Sequence, residues 1–217
     1  MRVLMIAPPG AGKGTQGALI AAHFHIPHIV VGDLLRDQVA RRTDLGRAVQ
    51  GFLDRGDLVP DEIVLNMVRQ ALAAAKAAGG GYVVDGVPRT IAQAWAAYRI
   101  ARELEMTADI ALHLHADDDE LRRRLLARAA VQHRSDDADE VIDRRLELYH
   151  RVTQPILAWY AHRGILVSVE AARPARQVAR EILATLEVMR PLVGHIPERL
   201  RRPVDLTGLG SALERII

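Results

Sequence analysis

Five short apolar runs punctuate the chain: Arg2–Ala7, His28–Val31, Tyr82–Asp85, Ile110–His115 and Ile165–Val169. Each is bounded by Gly, Pro or Asp and has the length of a strand buried on both faces. Between them the apolar positions recur with helical spacing. The clearest case is Pro60–Ala78, where Ile63, Val64, Met67, Val68, Ala71, Leu72 and Ala75 fall on one stripe. Pro60 suits the first turn of that helix, and Asp61 and Glu62 sit where its dipole favours negative charge. Strands alternating with helices predict an α/β fold: a mainly parallel five-stranded sheet with helices on both faces. Ligands of such sheets bind off the carboxyl ends of the strands, where the strand order reverses.

Two segments break the alternation. Residues 32–59 hold no strand and carry many charges on short helical patterns ("GDLLRDQVARR", "DLGRAVQGFLDRGDLV"), and residues 129–139 ("AAVQHRSDDAD") are polar between two strong helices. Beyond about Met189 the pattern changes again: Pro191, Pro197 and Pro203 punctuate a basic tail that ends in "SALERII".

Composition narrows the classes. Cysteine is absent, which excludes disulfides and thiolate metal sites. The residues after Met1 run straight into a strand-like segment, too short for a signal-peptide apolar region, and no run approaches membrane-spanning length. A cytoplasmic protein without a membrane partner is therefore expected. A net charge of +2, with histidines counted neutral, gives no support to nucleic-acid binding. Of the 29 basic residues 27 are Arg; the lysines are Lys13 and Lys76. A chain that writes Arg almost everywhere thus uses Lys inside its most glycine-rich turn.

That turn, "APPGAGKGTQ" (Ala7–Gln16), follows the first strand and precedes a helix over 14–24. It departs from the phosphate-loop pattern G-x-x-x-x-G-K-[ST]: Ala7 fills the first glycine position and Thr15 comes one place late. Gly10, Gly12 and Gly14 still let successive N–H groups turn onto an anion, and the helix N-terminus adds positive potential. Lys13 supplies a point charge and Thr15 a hydroxyl. The loop reads as a phosphate cradle.

The spelling "PGAGKGTQ" resembles the adenylate kinases and related nucleoside-monophosphate kinases, and the resemblance continues in order down the chain. "GDLLR" (32–36), "GDLVPDEIV" (56–64), "DGVPRTIAQA" (85–94), "LRRRLLAR", "HRSDD", "VIDRRLELYH" and "TQPILAWYAHRG" all resemble segments of the short-lid type, covering residues 1–189. The resemblance implies a core of 1–30, 60–128 and 140–189, a monophosphate-binding flap at 31–59 and a short lid at 129–139. Residues 190–217 form an extension outside it. The implied reaction is Mg·ATP + AMP giving two ADP, with Mg²⁺ entering as Mg·ATP and no zinc. The expected state is a monomer, with a contact through residues 190–217 left open.

Carried over residue by residue, the ATP side comprises Gly10, Ala11, Gly12, Lys13, Gly14, Thr15, Arg124 and Arg128. Arg124 would lie against the adenine and Arg128 on the phosphates. The AMP side comprises Val31, Gly32, Arg36, Asp57, Leu58, Val59, Gly86, Val87, Pro88, Arg89 and Gln93, with Arg134 and Arg145 closing over the transferring group. Lys13, Arg89, Arg128, Arg134 and Arg145 would be catalytic, and Asp85 would orient Mg²⁺ through water. Planar, permanently charged guanidinium groups suit a reaction that brings two polyphosphates together. Arg122, Arg123 and Arg144 read instead as solvated surface charges. Two positions depart from the family pattern: Val31 where Thr is usual, and Val87 where Phe is usual. Gln93 can read the adenine edge, which favours AMP. Val31 leaves a UMP/CMP kinase open, and Ala7, Val31 and Val87 together leave a nucleotide-binding regulator that has lost transfer.

Overall fold

The computed structural model describes residues 1–132 and 139–190. Its sheet has five parallel strands, β1 (Arg2–Ile6), β2 (His28–Val30), β3 (Tyr82–Asp85), β4 (Ile110–His115) and β5 (Leu166–Glu170), in the order β2-β3-β1-β4-β5. The chain leaves the central β1 toward one edge and later crosses back to the other, so the strand order reverses at the carboxyl end of β1.

Strand residues alternate between two covered faces, which is why the strands read as continuous apolar runs. Val3, Met5, Val83, Ile110, Leu112 and Leu114 pack with α1 (Lys13–Phe24), α6 (Asp118–Gln132), α7 (Asp139–Leu148) and α9 (Ala175–Met189). On the other face, Tyr82 and Val84 pack with α4 (Asp61–Ala77), whose stripe buries Val64, Val68, Leu72 and Ala75. Ile6 and Ala111 pack with α5 (Ile91–Glu103) and α8 (Ile156–His162). A π-helical turn, Tyr149–Thr153, joins α7 to the loop before α8.

The strand-free segment 32–59 holds α2 (Val31–Ala40) and α3 (Asp44–Arg55). Thr43 caps α3 by accepting from the Gly46 N–H at 3.0 Å, and Gly56 ends it in the left-handed conformation. Leu35 and Val49 join the α4 side of the core, so this unit is seated on the sheet by its own apolar residues. Three strands differ from the apolar pattern at their ends, β1 stopping at Ile6 so that Ala7 already belongs to the loop. Val31 begins α2 instead of closing β2, and β5 runs one residue later, because Glu170 pairs with His115 while Ile165 only accepts a bond from Ala111.

Candidate active site

At the carboxyl end of β1 the chain turns through Pro8–Gly12 into α1. Gly10 has φ +86°, and a Cβ there would lie 2.7 Å from the Leu121 carbonyl oxygen, so the loop can pass beneath α6 only with glycine at this position. Gly12 is the N-cap of α1, and no side chain caps that end, which leaves its N–H groups to the cleft.

A cleft of about 650 Å³ opens above this turn. Its walls bring together Gly10, Gly12, Lys13, Gly14 and Thr15 from the loop, and Asp85, Gly86 and Arg89 from the end of β3. Arg124 and Arg128 enter from α6 and Arg145 from α7. Val31, Gly32 and Arg36 of α2 line the far side with Asp57, Leu58, Val59 and Gln93. Ala11 is buried beneath the loop and does not line the cleft. Val87 and Pro88 line a separate apolar space with Leu72, Tyr98 and Trp159, so the missing Phe of the family pattern is a matter of packing behind the cleft. Arg134 and the extension from 191 onward lie outside the described residues.

Electrostatics concentrate on Lys13. Its Nζ donates to the Ala7 carbonyl at 3.1 Å and lies 3.9 Å from Asp85 Oδ1, and the side chain is 22% exposed. Burial lowers its pKa to about 8; Asp85 opposes that shift, while the charges of Arg89, Arg145 and Arg128 add to it. Three guanidinium groups that destabilise a neighbouring ammonium define a place where anionic oxygens are favoured. Ala7, in place of the usual glycine, serves here as a carbonyl for the lysine.

Three of the other cations have fixed seats. Arg124 donates to the Ala171 and Ala172 carbonyls at 2.8 and 2.9 Å and to Glu120 at 2.6 Å, which lays it along the loop after β5. Arg36 pairs with Asp33 one turn away. Arg89 Nε donates to the Gly86 carbonyl at 3.0 Å, and the Arg89 carbonyl accepts from the Thr153 hydroxyl at 3.0 Å, tying this arginine to the π-helical turn. Gln93 is 2% exposed and stands in the first turn of α5, where Thr90 caps it by accepting from the Gln93 N–H.

Three arginines taken from the sequence as surface charges do make ion pairs: Arg123 with Glu120, Arg122 with Asp143 and Arg144 with Asp57. The last two cross between elements, from α6 to α7 and from α7 to the turn after α3. They were illegible in the sequence because their partners are 21 and 87 residues away. At the same turn, Gly56 sits so close to α7 that a Cβ would lie 2.8 Å from Arg145 Cγ.

A magnesium ion fits the donors present. Asp85 is a nearly buried carboxylate (5% exposed) at the cleft floor, with the Thr15 hydroxyl at the start of α1, a sparse oxygen set that suits an ion shared with phosphates and water. Among the described residues there is no group of three or more His, Cys, Asp or Glu that could hold a metal by itself. No described helix is long and apolar enough to cross a membrane.

Comparison with known proteins agrees with this geometry. Residues 5–165 match the adenylate kinase family model. The chain is 41% identical over 187 residues to the adenylate kinase of Thermobifida fusca and 43% identical over 186 residues to that of Kocuria rhizophila. Each alignment covers 86% of this chain and 98% of the relative. The adenylate kinase of Methanothrix thermoacetophila is 35% identical over 212 residues, with the same coverage. The chain belongs to the adenylate kinase family of nucleoside-monophosphate kinases.

Proposed function

We infer that the chain transfers a phosphoryl group from Mg·ATP to AMP, reversibly, giving two ADP. The observation that carries this reading is the convergence of Lys13, Arg89, Arg128 and Arg145 on one cleft, faced by Arg36 and Gln93. Little covalent chemistry is asked of the protein in such a transfer; positioning and charge stabilisation supply the rate.

In this reading Gly10–Thr15 cradles the ATP phosphates, and Lys13 lies between the β- and γ-phosphates. Arg124 supports the adenine beside the loop after β5. Arg36 and Arg89 hold the AMP phosphate, and Arg128 and Arg145 bear on the phosphoryl group in flight. Val31, Gly32, Leu58 and Val59 wall the AMP base, with Gly86 as its floor and Val87 packed behind it. Thr15 and, through water, Asp85 would hold the magnesium ion, which when bound neutralises charge on the outer phosphates. Residues 31–59 act as a flap and 129–139, including Arg134, as a lid; their closure keeps water from the phosphoryl group.

The AMP assignment rests on Gln93, whose amide can both donate to and accept from a base edge. The test is the stoichiometry of product: two ADP formed per AMP consumed in the presence of Mg·ATP. ATP binding without ADP formation would refute transfer.

A further inference from the structure

The amide of Gln93 is held from both ends. Its Oε1 accepts from the Arg89 backbone N–H at 2.8 Å, and its Nε2 donates to Asp61 Oδ1 at 2.6 Å. A backbone N–H only donates and an ionised carboxylate only accepts. Rotating the amide by 180° would therefore set donor against donor and acceptor against acceptor. The two clamps leave one amide hydrogen and one carbonyl lone pair for a ligand, in a fixed order, on a residue that lines the cleft.

Order matters to a purine. Adenine offers an exocyclic N–H donor beside the N1 acceptor. Hypoxanthine offers the reverse, an O6 acceptor beside an N1–H donor. An amide free to rotate can serve either; an amide locked in one orientation serves one. We propose that Asp61, the first residue of α4, is a positioning residue for acceptor specificity that locks Gln93 in the orientation complementary to adenine.

The proposal rests on the reading of Gln93 as the base-reading group. The competing explanation is structural: Asp61 favours the α4 N-terminus by charge alone, and Gln93 at the third position of α5 merely completes a Thr-x-x-Gln cap. The helix start does not need Asp61, however, because Thr90 already accepts from the Gln93 N–H and the Gln93 amide reaches back to the Arg89 N–H, one residue before the cap. The bond across 32 residues is additional.

The test uses the full chain and the variants Asp61→Ala, Asp61→Ser, Asp61→Asn, Gln93→Ala and the Asp61→Ala/Gln93→Ala double mutant. Asp61→Ser withdraws the carboxylate and shortens the side chain while keeping one suited to a helix start, and so serves if the alanine variant does not fold. Initial rates are measured with AMP, and inosine monophosphate is titrated as a competitor. Loss of the lock is expected to raise KM for AMP about tenfold, the scale of one charge-assisted hydrogen bond. KM for ATP should stay within about twofold, and discrimination against inosine monophosphate should fall about tenfold on the same basis. Asp61→Asn keeps an oxygen in place but can also turn to donate, and should restore only part of the discrimination. In the Gln93→Ala background Asp61→Ala should do nothing further, since it acts only through the amide. An unchanged discrimination ratio, or the same loss with and without Gln93, would overturn the proposal. If Gln93→Ala itself leaves KM for AMP unchanged, the reading of Gln93 fails, and Asp61 loses its role for that separate reason.

Discussion

Asp57 and Arg144 form an ion pair across 87 residues of chain, fastening the turn after α3 to α7. Arg55 holds the other oxygen of the same carboxylate at 2.9 Å, and these bonds, that to Arg55 foremost, keep Asp57 below the usual carboxylate range. Arg144 is 58% exposed, so the pair is screened and adds at most about 1 kcal/mol to global stability. Its effect should be local. Arg144→Ala is expected to leave the melting temperature within a few degrees of wild type and to speed amide hydrogen exchange in α3. The same loss of protection, measured relative to the intrinsic exchange rate at each pH, should appear in the wild type as pH falls through the depressed pKa of Asp57. The pair is complete above the ordinary carboxylate pKa and lost below the lowered one.

Gly56 gives that turn a second, steric dependence. Its φ is +69°, and its missing Cβ is what allows Arg145 and Val141 of α7 to approach. Gly56→Ala adds a backbone cost of about 1–2 kcal/mol and pushes Arg145 away. The expected outcome is a fall in kcat of at least tenfold, with unchanged affinity for ATP alone in an equilibrium titration. Full activity in Gly56→Ala would show that Arg145 need not sit where α3 leaves it.

Lys13 predicts a proton. With its pKa lowered to about 8, it loses its charge above that pH in the free protein, whereas in the unfolded chain it keeps the proton to about 10.5. From this group alone, stability therefore rises with pH between those values, because there the unfolded chain binds more protons. Bound phosphate reverses the preference and draws the proton back. Calorimetry of ATP binding at pH 8, in Tris and in HEPES, should report an uptake of about half a proton. That uptake should vanish in Lys13→Met, and affinity should weaken as pH rises beyond 8.

Val31 is buried at 2% exposure in the cleft wall and lacks the hydroxyl that the family pattern supplies. If Gln93 sets the choice of base, Val31→Thr should change the preference for AMP over UMP by less than about threefold, well under one hydrogen bond. A tenfold change, read from kcat/KM for the two acceptors, would move the specificity to position 31.

The parts of this molecule that are local in sequence were legible there. Strands buried on both faces announce themselves as short apolar runs, so all five were found, with β1, β2 and β5 misjudged only at their ends. The glycine turn with Lys13 and the stripe of α4 carry their own spacing. What could not be read were bonds between distant residues. Nothing near Asp61 says that it faces Gln93, and nothing near Arg144 says that Asp57 waits for it. Nor does the sequence around Val87 say that this side chain belongs to the space beside Trp159 and not to the cleft. Each depends on the packing of α4, α5, α7 and the turn after α3, which only the assembled fold supplies.

Phosphoryl transfer to AMP by a lysine–arginine cluster is the reaction proposed for this cleft. It is tested most directly by initial rates of transfer from Mg·ATP to AMP, UMP, CMP and GMP side by side, with Lys13→Met as the blank. A clear preference for AMP is expected, with a loss of at least a hundredfold in the mutant, the scale of removing one preorganised charge. A preference for UMP or CMP, or ATP binding without transfer to any acceptor, would contradict it.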